Sequence, residues 1–208
     1  MVSNPYSAVQ KKLQLAQALP YTEHWSAAPD FLELLIDHCL ENKPARILEC
    51  SSGLSTLVLA RCCQINQCGQ VVSLENGAEF AADTRRNLHS FSLADYASVI
   101  HAPLVRQQPD DTQLDWDWDW YSLDSLPEDA VDLLVIDGPP GYIQHHSRYP
   151  ALPLLHQQLS RDCTVFLDDA GREEEKEIVA LWLQRFPTLQ HRFVGTERGC
   201  SILQFRPD

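Results

Sequence analysis

"ILECSSGLST", residues 47–56, is the part of the sequence that indicates the fold most directly. An apolar run ends in the acid Glu49, and a turn of small residues with a single glycine, Gly53, leads into a helical pattern. A strand, a tight turn and a helix in this order begin the nucleotide-binding half of an α/β sheet. Dinucleotide-binding turns of this type carry two or three glycines. The stretch therefore predicts a nucleotide site whose ligand does not require the close approach of the backbone that several glycines allow.

The composition around this stretch is that of one globular domain. The chain has 208 residues, of which 44% are hydrophobic and 22% charged. Its formal charge of −13 disfavours nucleic acid and anionic membranes as partners, because phosphate groups are repelled. No apolar run reaches the length of a membrane span, and the first residues lack the apolar segment of a signal peptide. The seven cysteines, an odd number, indicate reduced thiols and a cytoplasmic protein.

Strand and helix patterns alternate along most of the chain. Predicted helices cover 5–19, 25–42, 55–66, 77–91, 145–159 and 173–186, and predicted strands cover 46–50, 70–75, 97–102, 131–137, 163–169, 189–195 and 200–206. The runs "VDLLVID" and "CTVFL" are almost wholly apolar, which is typical of strands buried on both faces of a parallel sheet. The last two strands are joined by a short turn and must be antiparallel. We therefore predict an α/β, Rossmann-like, doubly wound and mostly parallel seven-stranded sheet, closed by a C-terminal antiparallel hairpin.

An N-terminal helical extension precedes this sheet. We place it at residues 1–28, with the sheet domain at 29–208. The segment 20–30 is rich in small and turn-forming residues and contains one large aromatic, Trp25, beside His24 and Ser26. Such a residue suits either a lid over a ligand cleft or an anchor that fixes the extension to the domain.

Residues 107–129 form an unusual acidic and aromatic segment. Trp116, Trp118 and Trp120 alternate with aspartates, so in an extended chain they share one face. They would form an aromatic wall over a substrate, or an edge strand or loop whose tryptophans pack on the domain. We favour the second interpretation, because large aromatic side chains are mostly buried.

Acidic residues end four of the five parallel strands, where ligands bind in open α/β sheets. Glu49 ends the first strand and Glu75 the second, while Asp137 and the pair Asp168 and Asp169 follow the last two. The third strand ends at His101. An acid at the end of the second strand is suited to accept hydrogen bonds from both hydroxyls of a ribose. The pattern predicts one polar cleft.

The ordered set "ILECSSGLST", "VVSLEN", "VDLLVIDGPPG", "VFLDDA" and the closing hairpin resembles class I S-adenosylmethionine-dependent methyltransferases. Within this class the chain is similar to small bacterial O-methyltransferases related to the catechol and caffeoyl-CoA enzymes. The resemblance implies S-adenosylmethionine as cofactor and in-line methyl transfer to a small-molecule acceptor. Because S-adenosylmethionine has no phosphate, the turn needs fewer glycines. Ser51 stands where the family has glycine, and we expect it to be tolerated with a negative φ.

The same resemblance assigns the residues that would hold the cofactor. Those near the methionine end are Glu49, Ser51, Gly53 and Ser55; Glu75 would hold the ribose, and His101, with Ala102, would lie near the adenine. A small-molecule acceptor and a homo-oligomer are both compatible with the sequence.

The chemistry requires removal of a proton if the acceptor is a hydroxyl. In metal-dependent relatives the positions of Asp137, Asp168 and Asp169 hold a divalent cation, and three carboxylates suit Mg²⁺. The second acid of the pair replaces the usual asparagine, so the metal requirement stays open. Without a metal, Asp137 or His145 would act as the base. We expect His145 and His146 to begin a helix, whose dipole favours neutral imidazole; otherwise they are solvated loop residues.

Two further residues near the cleft have alternative roles. Tyr142 and Arg148 would orient an acceptor, or Arg148 would pair with one of the many acids. A binding module without catalysis is a second hypothesis for the whole chain, since the serine-containing turn and the paired aspartates depart from the family pattern. An NAD-dependent oxidoreductase is disfavoured, because the glycine-rich first turn is absent.

Overall fold

A computed structural model of the protein describes residues 4–23, 25–107 and 118–206. The strands are β1 (Arg46–Cys50), β2 (Gln70–Glu75), β3 (Ala97–His101), β4 (Leu104–Gln107), β5 (Trp118–Tyr121), β6 (Val131–Ile136), β7 (Leu159–Leu167), β8 (Leu189–Val194) and β9 (Cys200–Phe205). The helices are α1 (Ser7–Lys12), α2 (Pro29–Asn42), α3 (Leu54–Asn66), α4 (Ala78–Ser90), α5 (Ala151–Leu155) and α6 (Glu173–Arg185), and a short 3₁₀ helix (His156–Gln158) follows α5.

The central sheet has seven strands in the order β3-β2-β1-β6-β7-β9-β8. Strands β3, β2, β1, β6 and β7 are parallel, whereas β9 is antiparallel to both β7 and β8. The predicted doubly wound sheet with a C-terminal antiparallel hairpin is confirmed. The chain passes outward from β1 to β3 and then returns to β6 on the other side of β1. The sheet therefore has its topological switch point between β1 and β6, where ligands bind in folds of this kind.

Each face of the sheet carries its own hydrophobic cluster. Ile47 and Val135 face the helices α2, α3 and α4, and their neighbours Leu48 and Leu134 face α5 and α6. Successive residues of a strand point to opposite faces, so burial of both faces requires continuous apolar runs. This is the physical reason why β6 is apolar apart from Asp132 and why β1 is apolar at Ile47, Leu48 and Cys50.

Between β3 and β6 the chain forms a two-stranded antiparallel ribbon, β4 with β5. The ribbon helps to cover the face of the sheet that also carries α5 and α6. Trp118 and Trp120 are almost fully buried in it, at 2% and 0% exposure. The prediction that the tryptophans pack on the domain is confirmed for these two residues. Trp116 lies outside the described residues, as do His24 and the rest of 108–117.

Two predicted helices are shorter than their sequence patterns suggested. Helix α1 spans only Ser7–Lys12, because Gln14 takes a left-handed conformation with φ +51° and turns the chain. The predicted helix 145–159 is restricted to α5. Pro150 immediately precedes α5, and a proline disfavours helical geometry in the residue before it. The prediction that His145 and His146 begin a helix is therefore wrong: both lie in turns.

The cysteines are all free thiols, six of them buried and Cys68 exposed. This agrees with the prediction of reduced cysteines. Among residues 4–23, 25–107 and 118–206, no helix combines the length and the apolar character needed to cross a bilayer.

Candidate active site

The turn after β1 is built around the buried carboxylate of Glu49. Thr56 and Ser73 donate hydroxyl hydrogen bonds to Glu49 Oε2, at 2.6 and 2.5 Å, and the Gly53 amide donates to the Thr56 hydroxyl at 3.0 Å. Burial raises the pKa of the Glu49 carboxyl, and hydrogen bonds from Ser55, Ser73 and Thr56 oppose the rise. Glu49 therefore holds the start of α3 onto the ends of β1 and β2. Thr56 and Ser73 were missed from the sequence, where each resembles an ordinary residue of an apolar element.

Ser51 and Gly53 both take backbone conformations that favour glycine. Their φ angles are +139° and +144°, so the expectation of a negative φ at Ser51 is wrong. An L-residue with such an angle is strained, because its Cβ crowds the backbone. The Ser51 amide nevertheless donates to the Leu74 carbonyl at 3.0 Å, which holds the turn against β2. The surrounding structure thus imposes the glycine-like turn on a serine.

Glu75 is 7% exposed and lies beside this turn. Its carboxylate accepts hydrogen bonds from the Ser52 hydroxyl at 2.9 Å and from the Gly77 amide at 2.8 Å. Burial raises the pKa of the Glu75 carboxyl, and these donors lower it. His101 is paired with Glu75 across β2 and β3, and the amide of the following residue, Ala102, donates to the Glu75 carbonyl at 2.8 Å. Two predicted cofactor residues are thereby brought to the same edge of the sheet.

The acids after β6 and β7 form a compact buried cluster. Asp137, Asp168 and Asp169 each offer a carboxylate oxygen within 4.8 Å of the others. Both side-chain oxygens of Asp168 are buried and have no hydrogen-bond partner among the described residues, and the same holds for Asp169 Oδ1. The backbone fixes this arrangement, since the Asp137 amide donates to the Cys50 carbonyl and the Asp168 amide to the Ile136 carbonyl. The predicted convergence of these acids is present.

Arg148 inserts its guanidinium into this cluster. Its Nη2 atom lies 3.2 Å from Asp137 Oδ1 and 2.9 Å from Asp169 Oδ2, and Nη1 donates to the Asp168 carbonyl at 2.9 Å. Arg148 is 3% exposed, so it is the internal partner of the acids rather than a free group for an acceptor. Arg172 Nη1 also lies 3.0 Å from Asp169 Oδ2, and the buried carboxylate of Glu175 lies 3.8 Å from both guanidinium groups. Four carboxylates against two guanidinium groups give a formal excess of two negative charges.

The protonation of the cluster reflects this excess of negative charge. Burial raises the pKa of Asp137 to about 7, with Arg148 opposing the rise and Asp169 adding to it. Burial and the neighbouring Asp137 and Asp169 raise the pKa of Asp168 to about 8. The cluster therefore binds a proton near neutral pH, and a carboxylate with a pKa near 7 is suited to general base catalysis.

His145 lies on the surface beside α6. Its Nε2 atom is 3.6 Å from Glu177 Oε2, and its ring stacks on that of His146 with centroids 3.7 Å apart. Of the two predicted bases, Asp137 is the one that the fold places within the acid cluster.

Three exposed aromatic rings from distant parts of the chain meet near the strand ends. The Trp25 ring lies 6.2 Å from that of Phe80, at the start of α4, and 6.4 Å from that of Tyr142, in the loop after β6. Trp25 thus bridges the Glu75 side and the Asp137 side of the cleft. The role of the N-terminal segment as a lid stays a prediction.

Tyr121 of β5 is a site residue that the sequence analysis missed. A Cβ atom at Gly138 would collide with its hydroxyl, so the ring reaches under the turn that follows Asp137. Burial raises the pKa of Tyr121 well above its usual value, and Cys50 and Glu75 add to the rise. The sequence feature that could have identified Tyr121 is its position at the end of the alternating tryptophan segment.

A cavity of about 250 Å³ lies elsewhere, at the opposite end of the sheet. It is lined by the first residues of β1, β2 and β6, which are Arg46, Gln70 and Val131. Ligands of open α/β sheets bind at the carboxyl ends of the strands. The chemistry of this protein is therefore assigned to the acidic edge and not to this cavity.

The strand order, the reversed last strand and the acidic strand ends define a class I methyltransferase fold. A family model described as a methyltransferase domain matches residues 48–170, which include the turn after β1 and all the acids of the cleft. The chain belongs to this methyltransferase-domain family and is an enzyme of that type.

Solved structures agree with this fold. An O-methyltransferase from Bacillus cereus in complex with SAH has a TM-score of 0.67 and 18% identity, covering 99% of this chain and 93% of that one. An SAH-bound methyltransferase from Podospora anserina has a TM-score of 0.65 and 16% identity, with 99% and 89% covered. The SAM-bound O-methyltransferase TomG from Streptomyces achromogenes has a TM-score of 0.64 and 12% identity, with 97% and 88% covered. A search of curated proteins found no match.

Proposed function

We propose that the protein binds S-adenosylmethionine at the carboxyl ends of β1 and β2 and transfers its methyl group to an oxygen atom of a small-molecule acceptor. The observation that carries this proposal is the convergence of Glu49, Glu75 and the Asp137 cluster at one edge, beside the glycine-like turn of Ser51 and Gly53. Solved structures of this fold hold SAH or SAM. The formal charge of −13 favours an acceptor without a phosphate backbone.

Each residue has a role that follows from its position. The Glu75 carboxylate is held by Ser52 and Gly77, so it is oriented in advance to accept hydrogen bonds from the ribose hydroxyls. Without a metal, Asp137 would take the proton from the acceptor hydroxyl, because it is the most exposed member of the acid cluster and its pKa is about 7. S-adenosylmethionine, when bound, supplies the activated methyl group.

The acid cluster fits a divalent cation held by Asp137, Asp168 and Asp169. Two uncompensated negative charges equal the charge of one dication, and three buried oxygens lack partners among the described residues. Oxygen-only donors suit Mg²⁺. Such an ion, when bound, would lower the pKa of an acceptor hydroxyl. Arg148 would then orient the carboxylates from the buried side. The free thiols are consistent with a reducing, cytoplasmic compartment.

Calorimetry with S-adenosylmethionine tests the cofactor site. Glu75→Ala should lose one or two charge-assisted hydrogen bonds, each worth roughly 1.5–3 kcal/mol. Ser52→Ala is the matched control, because it removes the neighbouring hydroxyl but leaves the carboxylate in place. Equal affinity of Glu75→Ala and the wild type would remove Glu75 from the site. A comparable loss in Ser52→Ala would show that the turn, rather than the carboxylate, controls affinity.

Turnover distinguishes the enzyme from a silent binding module. A panel of phenols, sugars and peptide-like compounds, assayed with Mg²⁺ and with a chelator, should give methylated product that is lost in Asp137→Asn. Cofactor binding without turnover on any acceptor would favour the binding module.

A further inference from the structure

We propose that His145, His146 and Glu177 form a second metal site, which binds a transition-metal ion of the Zn²⁺ type and ties the loop after β6 to α6. His145 and His146 lie in the loop between Asp137 and α5, and Glu177 lies in the second turn of α6. The site uses none of the carboxylates at the strand ends, and it goes beyond the proposed methyl transfer.

The three ligand atoms already have nearly the spacing of a coordination sphere. His145 Nε2 and His146 Nε2 lie 3.6 and 2.8 Å from the same atom, Glu177 Oε2. Each of the three residues offers one ligand atom within 4.8 Å of those of the other two. In a tetrahedral zinc site with bonds of about 2.1 Å, neighbouring ligand atoms are about 3.4 Å apart. The observed distances lie on either side of this value. Shifts of less than about 1 Å would therefore admit an ion, which would replace the hydrogen bond between His146 and Glu177.

The backbone brings the two imidazoles to the same side. Consecutive side chains of an extended chain point in opposite directions, so adjacent histidines do not normally converge. Here His146 has φ +56°, a left-handed conformation that is uncommon for a residue other than glycine. The two rings consequently stack 3.7 Å apart with both Nε2 atoms directed at Glu177. The His146 amide also donates to the Glu174 carboxylate, so the first turns of α6 position the loop.

The donor set selects the kind of ion. Two imidazoles and one carboxylate suit Zn²⁺, Co²⁺ or Ni²⁺, whereas Mg²⁺ prefers oxygen donors alone. His145 and Glu177 are 62% and 58% exposed in their side chains, so an ion can enter from solvent and keep water in its remaining positions. His146 is nearly buried and provides the fixed ligand.

The bound ion would restrain a loop that is joined to the acid cluster at both ends. The loop begins after Asp137 and ends at Arg148, and these two residues are themselves in contact. Fixing its middle to α6 would limit how far the segment containing Tyr142 can move.

The experiment measures metal binding directly, without cofactor. Zn²⁺ is titrated into the full chain by calorimetry, and Co²⁺ is followed by its visible absorption, both in a Cys68→Ser background that removes the exposed thiol. We expect one ion per chain. His145→Ala and Glu177→Gln should each weaken binding at least about tenfold, because each removes one of three ligands. Both side chains are exposed, so folding should be retained. His89→Ala, which removes an exposed histidine of α4, is the matched control.

Two results would overturn the proposal. One is unchanged Zn²⁺ affinity in both His145→Ala and Glu177→Gln, or a loss equally large in the His89 control. The other is loss of Zn²⁺ binding in Asp168→Asn, or displacement of Zn²⁺ by millimolar Mg²⁺, since either would place the ion in the acid cluster. Binding that survives Asp168→Asn and fails in Glu177→Gln supports the site even if S-adenosylmethionine does not bind, so its outcome is independent of the proposed function.

Discussion

Replacing Ser51 by glycine should stabilise the protein. The serine has φ +139°, a region populated almost only by glycine, and a residue held there costs of order 1–3 kcal/mol. Glycine removes this strain but loses more conformational entropy on folding, by roughly 0.5–1 kcal/mol. The net gain in the free energy of unfolding should therefore lie between about 0 and 2.5 kcal/mol, with a central value of about 1 kcal/mol. For a domain of this size, each kcal/mol corresponds to about 2–4 °C in Tm.

Urea unfolding of the wild type, Ser51→Gly and Ser51→Ala separates backbone strain from the role of the hydroxyl. Alanine keeps the Cβ atom and therefore the strain, so its stability should stay within about 0.5 kcal/mol of the wild type. If glycine is no more stable than alanine, the serine is not strained and the reasoning fails. A rise in both variants would point instead to an unfavourable hydroxyl.

Three further predictions concern the acid cluster, the ribbon and the lid. The pKa of Asp168 in the folded protein is about 8, above its usual 3.8. Its contribution to the free energy of unfolding is therefore complete below about pH 4 and is lost as the pH rises to 8. Asp168→Asn should flatten this decline in urea unfolding, and an unchanged profile would contradict the raised pKa. Trp120→Ala should cost about 3–5 kcal/mol in the same assay, and a cost below 1 kcal/mol would show that the ribbon is not core. Trp25→Phe should remove most of the fluorescence change on cofactor binding; if the change instead depends on the tryptophans of 116–120, that segment is the lid.

The parallel sheet could be predicted because its strands are buried on both faces. The run of β6 is apolar except for Asp132, and a helix pattern follows every parallel strand except β3. Strand β4, "LVRQ", could not be predicted from its residues, because its two half-buried end positions and two exposed central positions show no alternation. The prediction of a helix at 145–159 was wrong. The apolar spacing favoured a long helix, but Pro150 and Pro153 confine the helix to one turn.

The site was predictable as a set of strand ends but not as a set of contacts. Parallel strands bring their carboxyl ends to one edge, so the acids could be grouped before their distances were known. The insertion of Arg148 between Asp137 and Asp169 depends on the path of the whole loop, which the sequence leaves undetermined. The sign of φ at Ser51 likewise follows from the fit of the turn to β2, and not from the preference of serine.

The position of β9 leaves one edge of β7 without a partner until the last part of the sheet has been synthesised. Strand β9 lies between β7 and β8, so the edge of β7 from Thr164 to Leu167 has no partner until residues 201–204 have emerged. The amides of Ala170 and Gly171, directly after the paired aspartates, donate to carbonyls of Gly199 and Arg198. Domains synthesised from the N-terminus can begin to fold before they are complete, and an unpaired strand edge is open to other chains. Until β9 has been synthesised, the β7 edge would be open to other chains, and the turn after Asp169 would lack its hydrogen bonds to residues 198–199.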